Sequence, residues 1–134
     1  MSPNDDASRR DAVLPVGTKV VAGTFLASGV THLIRPQVFE ALIPRSLGNE
    51  RAWVLVSGVA ELACAAGLLT RSRWAPPATV ATLSVIWVGN WTMAVRWQRS
   101  DRRARAQKVM GWARLPLQAP LVYWAWNSPV RTVA

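Results

Sequence analysis

The chain has 134 residues, half of them hydrophobic, with 16 Lys+Arg against 7 Asp+Glu and a formal charge of +9. That length fits one domain. The cations fall between apolar blocks rather than on one face, which argues against a nucleic-acid binder and for a polytopic membrane protein. The single cysteine, Cys64, excludes an intrachain disulfide and any CxxC exchange site.

Residues 1–12 read as a polar N-terminal tail. Ser8-Arg9-Arg10 resembles a twin-arginine signal, but the apolar run behind it is long for one and no cleavage site ends it. Residues 13–33 are therefore read as the first membrane helix, with Lys19 snorkelling to the interface. Gly17, Gly23, Ala27, Ser28 and Gly29 are small enough for close helix approach. Residues 34–51 form the first loop, punctuated by Pro36 and Pro44. Within it Val38, Phe39, Leu42 and Ile43 predict one or two helical turns lying in the interface.

The second span is read over 52–69, with one carboxylate, Glu61, near its centre. An ionisable group at that depth costs about 2.5–3.5 kcal/mol, so Glu61 needs a partner, a proton or water. A turn at 70–74 follows. Pro76-Pro77 suit the opening of a third span over 75–95. Residues 96–108 hold six cations and one Asp, too many charges for a bilayer core. They read as a loop or as the amphipathic continuation of the third helix. The fourth span is read over 110–129, with kinks expected at Pro116 and Pro120. Seven of the eight tryptophans lie near span ends, as an aromatic belt does, and Trp87 alone reads as deeper packing.

Four spans with short connections predict an all-α, integral membrane, antiparallel four-helix transmembrane bundle over residues 13–130. Its first and third loops then share one side. His32, Ser57, Glu61, Asn90, Arg114 and Gln118 all fall in that half or at the midplane, at 1.5 Å rise per residue. Two readings stand. One is a polar pocket with Glu61 at its floor, open toward those loops. The other is a structural Glu61–Arg114 ion pair. The depths of Glu61 and Arg114 differ by roughly 10 Å. A network is therefore predicted: Arg114 toward Glu61, Gln118 or Asn90 bridging, His32 at the rim.

The segments GTFLASGVTHLIRPQVFEALIP, SGVAELACAAGLLTRSRWAPP, GNWTMAV and RLPLQAPLVYWAW resemble the DoxX-like family of small four-span membrane proteins, over residues 17–126. The points of likeness are the His32…Pro36 turn, Ser57-Gly58…Glu61, Asn90 with Met93-Ala94, and Arg114-Leu115-Pro116-Leu117-Gln118. The resemblance implies a membrane accessory protein that scaffolds or serves a redox enzyme. A quinone or another small polar ligand would occupy the pocket, and an oxidoreductase would be the partner. Direct dithiol exchange is rejected, since Cys64 has no second cysteine. A stand-alone oxidoreductase is not supported either: there is one histidine and no Gly-rich nucleotide loop. His32 with Glu61 is too small a ligand set for a metal site. The alternative is a non-catalytic assembly factor for other membrane proteins.

A bacterial-type plasma (inner) membrane, crossed several times, is the expected location. Loops one and three carry nine cations, while the N-tail, second loop and C-tail carry five, so 34–51 and 96–109 are expected in the cytoplasm.

Overall fold

The computed structural model describes residues 13–131, and these are helical with no strand among them. The tail of residues 1–12 and its arginine pair lie outside the described residues, apart from which the helices fall close to where the sequence places them. Helix α1 spans Val16–Ile34, α2 spans Gln37–Glu40, α3 spans Glu50–Leu69, α4 spans Ala75–Gln98 and α5 spans Arg105–Trp126. A 3-10 turn at Arg45–Leu47 lies between α2 and α3.

Boundaries shift for local reasons. Helix α3 begins two residues before the predicted Ala52, because the Asn49 side chain caps it by accepting from the Ala52 N–H at 3.1 Å. Helix α5 begins at Arg105 rather than residue 110. There the Gln107 side chain reaches back to the Ala104 N–H at 3.3 Å. The basic segment is therefore divided: α4 keeps it as far as Gln98, residues 99–104 turn, and α5 takes the rest. Pro76 and Pro77 lie in the first turn of α4, where the missing N–H groups cost nothing. Pro116 and Pro120 do not interrupt α5, which runs unbroken across both. Helix α3 stops in a left-handed cap: Arg71 takes φ 58° while Ser72 N bonds Gly67 O at 2.8 Å and Arg71 N bonds Leu68 O at 3.2 Å.

The four long helices touch in a ring. Helix α1 packs on α3, α3 on α4, α4 on α5, and α5 back on α1. Pairs of contacts fix the directions as antiparallel. Gly29 meets Gly58, Gly67 meets Ala75, Gly111 meets Ala94, and the Thr18 and Ser128 hydroxyls bond at 3.0 Å in the interior. Side chains fill the ring unevenly. Val21, Ala22, Phe25, Cys64, Ala65, Leu68, Ala75, Leu83 and Ala125 form one buried cluster at the end near the 70–74 turn. The opposite end, under loop 35–49, is hollow.

Among the described residues two helices, α3 and α4, are long and apolar enough to cross a membrane. Helix α1 carries Lys19 and His32. Helix α5 carries Arg105, Lys108 and Arg114. Trp87 is not deep packing: it is 44% exposed and lies against Trp91, whose ring in turn meets Trp112 edge-on.

Cys64 is buried, with Sγ 3.7 Å from the Thr82 hydroxyl. Thiol attack needs an exposed thiolate. A membrane-impermeant maleimide is expected to leave the folded protein unlabelled and to label it only after denaturation.

Candidate functional site

The hollow end begins where α1 and α3 cross. Both helices present glycine there: a Cβ on Gly29 would sit 2.9 Å from the Gly58 carbonyl oxygen, and one on Gly58 would sit 2.7 Å from the His32 Cβ. That approach brings His32, in the last turn of α1, beside Glu61 on α3. The distance from His32 Nδ1 to Glu61 Oε2 is 3.8 Å.

Each group is held by its own helix. His32 Nδ1 lies 2.7 Å from the Ser28 carbonyl oxygen one turn back. A carbonyl only accepts, so the proton is on Nδ1 and Nε2 is left as an acceptor in the neutral ring. The other face of the imidazole stacks on Phe39 of α2, with centroids 3.8 Å apart and planes within 10°. Glu61 is 1% exposed. Its Oε1 accepts a long hydrogen bond of 3.5 Å from Ser57, one turn back on the same face. Its Oε2 has no hydrogen-bond partner, and 3.8 Å to His32 is too far for one. A buried acceptor left unmade costs about 1–3 kcal/mol. Among the described residues, this oxygen is one of two unpartnered buried polar atoms on residues of the hollow end, with Gln118 Oε1.

Two adjoining cavities account for the hollow. The outer one, about 310 Å³, lies under loop 35–49 and is lined by His32, Phe39, Ser57, Glu61, Asn90 and Arg114 among apolar neighbours such as Leu42, Trp53 and Ile86. The inner one, about 220 Å³, shares Ser28, Glu61, Ile86, Asn90 and Arg114 with it and extends to Phe25 and Gln118. All six residues singled out in the sequence thus line one cavity or both.

Their pairing differs from the expected network. Arg114 is exposed and lines both cavities, but among the described residues it makes no ion pair with Glu61. His32, not Arg114, is the basic group nearest the carboxylate. Gln118 does not bridge them: its Nε2 donates to the Leu83 carbonyl at 2.7 Å, and its Oε1 stays buried without a partner. Asn90 lines the cavity wall and bonds neither Glu61 nor Arg114. The reason is register. Helix α3 starts alongside loop 35–49, so its first turns run past the end of α1. His32 is thereby drawn level with Gly58, one turn from Glu61, while Arg114 lines the same cavities from α5 without pairing with the carboxylate. Depths counted from span centres miss this offset.

One residue of the site escaped the sequence reading. Phe39 appeared there only as part of an interfacial turn, whereas it walls the cavity and fixes the histidine ring. Its signal is an aromatic side chain seven positions after His32, across the Pro36 turn. Loop 35–49 is also tied to α4, since Arg96 Nη1 donates to the Ala41 carbonyl at 3.5 Å. No group of three or more His, Cys, Asp or Glu side chains arranged to hold a metal ion occurs among the described residues.

The chain belongs to the family described as a domain of unknown function (DUF8561), whose model matches residues 21–129. That match takes in all six site residues and both glycines of the α1–α3 crossing. No curated protein and no solved structure matches the chain.

Proposed function

We propose that this DUF8561 protein is a four-helix transmembrane bundle of the bacterial plasma membrane, and that its Glu61 cavity binds a quinone in the service of a redox partner enzyme. The membrane part is supported by where the apolar surface lies. Val56 and Val59 on α3 and Val85 and Val88 on α4 are all more than half exposed. An apolar helix in a soluble core would turn such side chains inward. Monomeric soluble proteins rarely expose apolar patches beyond a few hundred Å². Lipid contact accounts for that surface, and the tryptophans at the helix ends suit the headgroup zone.

The observation that carries the ligand reading is Glu61, on the wall of a cavity of about 310 Å³, with its Oε2 buried and without a hydrogen-bond partner. Intramembrane ionisable groups mark functional sites. The reduced form of a quinone, a planar ring with a hydroxyl on each of two opposite edges, suits this wall. One hydroxyl would donate to Glu61 Oε2, and the other would accept from Asn90 or Arg114 across the cavity. Aromatic and aliphatic side chains would cover the ring faces. The resemblance to DoxX-like proteins supports the redox setting. The excess of cations in loops 34–51 and 96–109 supports a cytoplasmic side for them, and so for the mouth of the cavity.

The test is extraction of the full chain in mild detergent, followed by mass spectrometry for quinones and for copurifying proteins. Quinone in near-stoichiometric amount, lost in Glu61→Gln, is the expected result. Unrelated membrane proteins retained with no quinone would instead favour an assembly factor.

A further inference from the structure

A third cavity, separate from Glu61, lies at the basic end of the molecule between the last turn of α4 and the first turns of α5. It holds about 580 Å³ and is lined by Gln98, Arg105, Lys108, Val109, Trp112 and Ala113. On α5 these are positions i, i+3, i+4, i+7 and i+8, so they form a single stripe on one helix face. The stripe changes character along the helix axis. Two cations stand at its start, and the apolar side chains of Val109, Trp112 and Ala113 follow over little more than one turn. Val109 is 61% exposed, so no other helix covers this face. The surroundings carry more positive charge, from Arg99, Arg102 and Arg103, against Asp101 alone. Arg103 lies over the Trp97 ring at 5.0 Å, outside this stripe.

We infer that this groove binds one anionic phospholipid. Its phosphate meets Arg105 and Lys108, and its acyl chains run along Val109, Trp112 and Ala113. The inference rests on the membrane part of the reading above, and not on the quinone. Charge complementarity selects the occupant. A zwitterionic lipid would fill the apolar stripe equally well but would gain little from the two cations. Free phosphate would engage the cations but leave the stripe uncovered. Cations beside a membrane each strengthen binding of acidic lipid, about five-fold apiece, which sets the scale of the effect.

The experiment is native mass spectrometry of the detergent-solubilised full chain, titrated with phosphatidylglycerol, phosphatidylcholine or sodium phosphate. Phosphatidylglycerol is expected to bind at lower concentration than phosphatidylcholine, and sodium phosphate should not displace it. Arg105→Gln with Lys108→Gln is expected to weaken phosphatidylglycerol about 25-fold, about five-fold for each cation. Ala113→Trp keeps the charges and blocks the stripe, and is expected to weaken it too. Arg99→Gln with Arg102→Gln removes the same charge outside the groove and should have a smaller effect. Equal loss in that control pair would show diffuse attraction and overturn the site, as would equal affinity for both lipids or displacement by phosphate. Recovery of the protein in the soluble fraction without detergent would overturn the membrane reading itself, and the site with it.

Discussion

Glu61→Met is expected to raise the stability of the detergent-solubilised protein by about 1–3 kcal/mol while abolishing quinone retention. Methionine fills nearly the same volume and has no acceptor to satisfy. The wild-type carboxyl is 1% exposed, holds one long hydrogen bond and leaves Oε2 unpartnered. Such a group costs folding energy and persists where function requires it. His32 should tolerate the change, because its proton is held by the Ser28 carbonyl and its ring by Phe39. Thermal melting of wild type, Glu61→Met and Glu61→Gln in one detergent gives the answer. A lower melting temperature for Glu61→Met would mean that the carboxylate clamps α1 to α3, and the structural reading would win over the pocket.

The second large effect concerns backbone approach. Gly58→Ala is expected to destabilise by about 1–3 kcal/mol, the range for overpacking a close-packed contact. Its Cβ would fall 2.7 Å from the His32 Cβ and 3.0 Å from the Gly29 carbonyl oxygen. Neither atom is the far end of a flexible side chain, so the helices themselves must part. That shift moves His32 away from Glu61, and ligand retention should fall along with stability. Gly23→Ala is the control. Nothing lies within 4 Å of a Cβ there, and alanine is the better helix former by up to about 1 kcal/mol. Gly23→Ala should therefore be neutral or stabilising. Equal melting temperatures for the two variants would remove the glycine crossing as the organiser of the site.

The contrast between these two glycines marks where sequence reading stops. Gly23 and Gly29 look alike in the chain, both small residues in an apolar helix. Only the partner helix distinguishes them: Gly29 faces Gly58, and Gly23 faces outward. Trp87 failed for the same reason. Its mid-helix position was read as depth, but depth along an axis does not say which side of the helix a residue occupies once neighbours are placed.

The helical class and the places of the four long helices were legible in the sequence, although only α3 and α4 are apolar and long enough to cross a membrane. Helix periodicity, proline placement and the scarcity of charge inside apolar runs are local properties, so they can be read without a fold. The convergence of His32, Ser57, Glu61, Asn90, Arg114 and Gln118 on one end follows from antiparallel alternation, which short connections impose. What only the tertiary structure decided is the pairing within that set. Arg114 was expected on Glu61, because a full charge calls for an opposite charge. The α1–α3 crossing instead slides α3 past the end of α1 and brings a histidine to the carboxylate. Helix register of this kind depends on the sum of many packing contacts along two surfaces, and a difference of one turn, about 5.4 Å, is enough to exchange one partner for another.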